Sequence, residues 1–149
     1  MKMKISHELD TLSKILLPFI LFVHIMFFIL EAVLWNWPEV HTPLIALLNN
    51  PVSSETWVQA LTLKNLFINQ GFYNFFLVVT GVWGYFLILR RQYVAGYALL
   101  IVLCFSAAGA GITLALSTKA YLLAFFQAVP AAVLFFRLFP KFILIQGKR

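Results

Sequence analysis

The chain has 149 residues, 62% of them hydrophobic and 17% aromatic, with only 11% charged and a formal net charge of +6. Water-soluble domains carry about 25% charged and about 45–50% apolar residues, so a soluble globule, a disordered chain and a disulfide scaffold are all excluded. At about 20 residues per membrane-spanning helix, the length fits one membrane domain of roughly four spans.

The first apolar run covers residues 14–35, behind a segment holding Lys2, Lys4, Glu8, Asp10 and Lys14. It ends in LEAVLWNW, bulky to the last residue, whereas a signal peptide is shorter and ends in a small-residue cleavage site. It therefore reads as a retained helix, capped by Ser6 and bent at Pro18, which cannot donate to the carbonyl of Lys14. A loop from Asn36 to Asn65 follows. Thr42 before Pro43 has the form of an N-cap with proline at the first helical position, which predicts a short helix through LIALL lying on the outer interface. Asn50-Pro51 turns the chain, and Ser54 is placed to cap a helix through ETWVQALTLKNLF that runs directly into the second span. The loop is thus expected to form a helical cap over the bundle.

The remaining spans are read at 66–89, 97–116 and 121–139, the last closing on Arg137, Pro140 and Lys141. The runs are apolar all round, without the period-two alternation of a barrel, so the expected fold is an all-α integral membrane four-helix bundle. Span three carries Ser106 with Ala110 and Ala107 with Gly111, spacings that let a neighbouring backbone approach closely. Gly81 and Gly84 in span two suit the same packing. Whether the neighbour is another helix of the chain or a second copy, giving a homo-oligomer through span three, is left open by the pattern. Cys104 lies alone in an apolar run and reads as filler.

Basic residues set the orientation. Lys2, Lys4, Lys14, Arg90, Arg91, Arg137, Lys141, Lys148 and Arg149 fall on one side, and only Lys64 and Lys119 on the other. By the positive-inside rule both termini are cytoplasmic, in a multi-pass protein of the inner (plasma) membrane. Trp35, Trp37, Trp57 and Tyr121 are then expected at the outer interface, and Tyr93 and Tyr97 at the inner one. The basic excess is an orientation label with weak attraction to anionic lipid and implies no nucleic-acid partner.

The informative residues are polar ones at membrane depth, where an ionisable side chain costs about 2.5–3.5 kcal/mol or more. Span one holds His24 and Glu31, on one face and about 10 Å apart along the axis, too far to bond each other directly. Each needs a partner from another helix, a water or a ligand. With Trp35 as the outer edge, Glu31 lies about 6 Å deep and His24 about 16 Å deep. The same arithmetic puts Asn69 and Gln70 near the outer boundary of span two, with Tyr73 and Asn74 about level with Glu31. Gln127 of span four falls between the levels of Glu31 and His24, beside the Phe126 carbonyl that Pro130 leaves without a donor. A polar cluster of Glu31, His24, Asn69, Gln70, Tyr73, Asn74 and Gln127 is expected. The bland reading is interhelical glue for the amides, a snorkelling Glu31 and a His24 satisfied by one carbonyl. His7 and His41 lie outside the spans, no two histidines have metal-ligand spacing, and neither a metal site nor a cofactor is expected.

The stretch Asn69-Gln70-Gly71-Phe72-Tyr73-Asn74-Phe75-Phe76-Leu77 resembles the NQGxYNxFL signature of the small four-span bacterial membrane proteins grouped as domain-of-unknown-function family thirteen-oh-four. HIMFFILEAVLW is similar to that family's His followed seven residues later by Glu and then an aromatic, and FFQAVPAA to its glutamine ahead of a proline. The chain departs in Phe72, where Leu is usual, and in a longer outer loop. The resemblance implies a four-span bundle and no particular activity.

Three functions fit these residues. One is an intramembrane pocket, opening toward the outer leaflet, for a small amphipathic or lipid-like molecule. There Glu31 and His24 would be proton-exchanging groups, and Asn69, Asn74 and Gln127 would orient a polar head. Its layout is similar to that of the sterol isomerases related to emopamil-binding protein, without their motifs. The second is a non-catalytic membrane subunit or scaffold. The third is a proton-coupled exporter of the small-multidrug-resistance kind, acting as a dimer through Glu31, although that family's motifs are missing. Catalysis, transport and simple binding all remain open.

Overall fold

The computed structural model describes residues 8–49 and 52–147. Among these residues, five α-helices follow in chain order: α1 (Thr11–Phe28), α2 (Pro38–Leu48), α3 (Thr56–Leu89), α4 (Tyr93–Ser117) and α5 (Tyr121–Gln146). A π-helical segment, Ile29–Val33, continues α1, and no strand occurs among the described residues. Four stretches are long and apolar enough to cross a membrane: Thr11–Val33, Thr56–Leu89, Tyr93–Ser117 and Tyr121–Gln146. This is the all-helical, four-span bundle that the apolar runs predict. Around the bundle α1 packs on α3, α3 on α4, α4 on α5 and α5 back on α1. Sequential helices with short turns have no other neighbour to choose.

Helix ends differ from expectation in instructive ways. Ser6 lies outside the described residues, and the cap of α1 is Asp10, whose carboxylate accepts from the Ser13 backbone N–H at 3.1 Å and from the Ser13 hydroxyl at 3.0 Å. α2 starts at Pro38, not after Thr42. Pro38 fills the first helical position that proline favours, and Pro43 is carried inside, where it costs only the donor to the exposed carbonyl end at Glu39. Asn49, at φ 56°, ends α2 in the left-handed region that asparagine tolerates. The turn at Asn50-Pro51 lies outside the described residues. Glu55, not Ser54, takes the cap position of α3, while the Ser54 carbonyl accepts from the Gln59 side-chain amide at 2.8 Å. The helix then does run unbroken into the second span. Its 34 residues extend about 51 Å at 1.5 Å each, well beyond about 30 Å of hydrocarbon, so one end must project. α5 does not close at Pro140 and continues to Gln146. Proline's fixed φ suits a helix, only the Phe136 carbonyl loses its donor, and Ile145 packs into the core and holds the last turns.

The main core joins Leu17 and Ile20 of α1, Ile88 of α3, Leu100, Leu103 and Cys104 of α4, and Ala131, Leu134 and Leu138 of α5. Of the small-residue stripe of α4, the Ala107 and Gly111 pair is taken up within the chain, while Ala110 is exposed. A Cβ on Gly111 would lie 2.7 Å from the Ala128 backbone nitrogen and 2.9 Å from the Ala124 carbonyl oxygen, both on α5, and Ala107 is fully buried. Two aromatic residues expected at interfaces are instead core. Tyr97 is fully buried, with its hydroxyl 3.5 Å from the Glu8 carbonyl. Trp35 is buried against Ile45 and Ala60, stacks on Phe67 at 3.8 Å and donates its indole N–H to the Ala60 carbonyl at 2.9 Å. Trp37, Trp57 and Tyr121 are exposed. A helix-terminal tryptophan suits a lipid interface by composition alone, but α2 and α3 close over this one.

At one end of the bundle, Asp10 pairs with Arg137 at 2.9 Å and Lys141 at 3.0 Å, clamping the start of α1 to α5. Burial alone would raise the Asp10 pKa, but the Ser13 backbone N–H, the Lys141 ammonium, the Arg137 guanidinium and the Ser13 hydroxyl outweigh it and hold the carboxyl well below the usual carboxylate range. A carboxyl depressed in the folded state contributes stability that is present above its unfolded value, about pH 4, and is lost as pH falls toward the folded one. Asp10→Ala is therefore expected to lower unfolding stability by about 1–3 kcal/mol, from the cap and two ion pairs. The gap between wild type and variant should narrow from about pH 7 to about pH 2, and equal gaps in unfolding titrations at both would refute the assignment.

Candidate functional site

Glu31 lies in the π-helical segment, where the Leu34 N–H reaches the carbonyl of Ile29, five residues back, at 2.8 Å. Such one-turn widenings redirect side chains and are frequent at functional sites. Here the widening faces α3 where that helix has no side chain. A Cβ on Gly71 would lie 2.7 Å from the Ala32 Cβ, 2.9 Å from the Ala32 nitrogen and 3.2 Å from the Glu31 Cβ. One turn further along α3, Asn74 comes within bonding distance of span one.

Asn74 bridges the two ionisable residues of span one. Its side-chain nitrogen donates to Glu31 Oε2 at 2.9 Å and to the Gln70 carbonyl at 3.2 Å, and its Oδ1 is 2.8 Å from His24 Nδ1. With both amide hydrogens given to oxygen acceptors, Oδ1 can only accept. His24 Nδ1 is therefore the protonated nitrogen that donates to it. An amide does not readily pass a proton, so His24 fixes the orientation of Asn74, and Asn74 aims its N–H at Glu31. His24 is fully buried, and its Nε2 has no hydrogen-bond partner among the described residues. No cation among the described residues pairs with Glu31; the ion pairs all lie at the Asp10 end of the bundle.

A cavity of about 430 Å³ adjoins this cluster. All five helices and the π-helical segment contribute to its wall, with Glu31, Gln70, Asn74 and Gln127 among polar residues and Phe27, Leu47 and Phe67 among apolar ones. Leu44, Leu47 and Leu48 of α2 form one side, next to Thr118 and Ala120 of the α4–α5 turn. The Lys119 N–H donates to the Leu47 carbonyl at 2.9 Å and ties that side together. The cavity thus sits at the end of the bundle opposite the Asp10 clamp. Gln127 is buried, and its amide has no hydrogen-bond partner among the described residues.

Of the seven candidates, the structure brings together Glu31, His24, Asn74, Gln70 and Gln127, with His24 behind Asn74 and off the cavity wall. Asn69 and Tyr73 are exposed and do not line it. Each lies one residue, about 100°, from its partner in the Gln70 and Asn74 pair, so at the right depth they face elsewhere. Sequence reasoning misses two site-forming features, Gly71 and the π-helical segment, and only the presence of Gly71 within the Asn69–Leu77 stretch hints at the first.

A four-span helical membrane protein with a polar cluster inside its bundle is the class that these observations define. Residues 19–139 match the family described as "Protein of unknown function (DUF1304)", and the chain belongs to that family. The matched stretch contains the whole cluster, while Asp10 and Lys141 lie outside it. No curated protein and no solved structure matches the chain.

Proposed function

We propose that this protein sits in a bacterial inner membrane with both termini cytoplasmic, and that its cavity binds a small amphipathic or lipid-like molecule entering from the outer leaflet. The observation that carries this reading is an apolar cavity of about 430 Å³ with a carboxyl on its wall that no cation pairs. Binding sites for small molecules have this character: about 300–1,000 Å³, largely apolar, with a few placed polar groups. If Asn74, Gln70 and Gln127 served only as glue between helices, no cavity would be needed beside them. In this reading Glu31 contacts the polar head and exchanges a proton with it, Gln127 and Gln70 orient the head, and His24 and Asn74 are positioning residues.

Glu31→Gln keeps an oxygen for the Asn74 N–H and removes the acid, so the bundle should fold as before. Native mass spectrometry of the detergent-solubilised protein is expected to show a co-purifying small molecule on wild type and at least about tenfold lower occupancy on the variant, the loss of one charge-assisted contact. Equal occupancy on both proteins would overturn the proposal.

A further inference from the structure

We propose that the head of the bound molecule is a protonated amine; this rests on the pocket reading above and concerns what the pocket selects. Donors and acceptors on the wall are unequal in number. Three hydroxyls face the cavity, and each has already committed its hydrogen to its own helix. Thr113 donates to the Gly109 carbonyl at 3.0 Å, Ser117 to the Thr113 carbonyl at 2.8 Å and Thr118 to the Leu114 carbonyl at 2.8 Å. These hydroxyls can offer a ligand only oxygen lone pairs, and one lone pair of Thr118 is already taken by the Ala120 N–H at 3.0 Å. Both Asn74 amide hydrogens are committed as well.

The spare side-chain donors on the wall are the amides of Gln70 and Gln127, and each brings an acceptor of its own. No lysine, arginine or histidine among the described residues lines the cavity. The side chains of the wall are therefore richer in acceptors than in donors, and the one carboxyl among them has no cationic side chain beside it on the wall. A carboxylate or phosphate head would lie next to Glu31 without a cation, an arrangement that rejects anionic lipids. An ammonium brings three donors and the missing positive charge.

The test uses the full chain in nonionic detergent and three probes with equal tails: dodecylamine, 1-dodecanol and sodium dodecanoate, titrated by native mass spectrometry near neutral pH. Dodecylamine is expected to bind at least tenfold more tightly than dodecanoate, with dodecanol between them. Glu31→Gln should remove the preference for the amine while dodecanol still binds, and Ala110→Trp, which fills the cavity, should remove saturable binding of all three. Equal affinity of amine and dodecanoate for wild type, or tighter dodecanoate, would overturn the amine assignment and leave the pocket standing. Absence of saturable binding by any probe, or binding unaffected by Ala110→Trp, would overturn the pocket itself. Should Glu31→Gln fail to fold, the wild-type ranking alone decides.

Discussion

Asn74→Leu is expected to destabilise the bundle by about 1–3 kcal/mol, because one side chain makes both polar contacts to span one. Interhelical hydrogen bonds in a bilayer are worth about 0.6 kcal/mol on average and up to about 1.7, and here two are lost, one to a carboxyl. Leucine recovers little, since the separated helices are already in hydrocarbon and a further apolar contact gains no hydrophobic free energy. The variant also leaves His24 buried with neither ring nitrogen bonded. Adding His24→Leu to Asn74→Leu should therefore restore part of the loss, as removing both partners of a buried bond costs less than removing one. Unfolding titrations of the two single variants and the double variant give the coupling. Additive losses within about 0.5 kcal/mol would mean that the two side chains do not act together.

The second large effect is expected at Gly71. Alanine is normally favoured over glycine within a helix by about 0.5–1 kcal/mol. At Gly71 the new methyl would lie 2.7 Å from the Ala32 Cβ and 2.9 Å from its backbone nitrogen, so the π-helical segment must move. Overpacking of this kind costs about 1–3 kcal/mol, and it wins over propensity. It also pushes Glu31 away from Asn74, so Gly71→Ala should lower ligand occupancy as well as stability. Gly109→Ala is the matched control: nothing lies within 4 Å of where its methyl would sit, and that variant should gain up to about 1 kcal/mol. Ala32→Gly should partly rescue Gly71→Ala by removing the closer contact. Thermal or denaturant unfolding of the four proteins reads all of this, and a Gly71→Ala protein as stable as wild type would sink the idea of a required close approach.

Much of the fold is legible in the sequence because lipid punishes polarity so consistently. Runs of about 20 apolar residues have one use, and an acid and an imidazole among them mark themselves out. Depth is legible too, since rise per residue is constant, and it puts Asn74 near Glu31. Azimuth is not: Tyr73 has nearly the same depth as Asn74 and points elsewhere, which only the packing of α3 on α1 decides. The start of α2 is misread because Thr42-Pro43 joins a capping residue to the proline signal and Trp37-Pro38 does not, so the local signal favours the later start, whereas the helix begins at Pro38. Trp35 misleads for a similar reason, as burial by α2 and α3 is a long-range event. The π-helical segment has no local signature at all. ILEAV contains neither glycine nor proline, and its partner in shape is a glycine forty residues away, Gly71.

That segment separates two properties that usually change together. A π-turn holds one residue more than an α-helix of equal rise, so it behaves as an insertion that the helix has absorbed without breaking. Taking one residue back out of Ile29–Val33 restores an ordinary helix and leaves the length of the span almost unaltered, yet it swings Glu31 by about 100° relative to the residues on the far side of the deletion. The span and its carboxyl can thus be edited independently, and a chain in this architecture could keep its place in the bilayer while losing its site through a single missing codon.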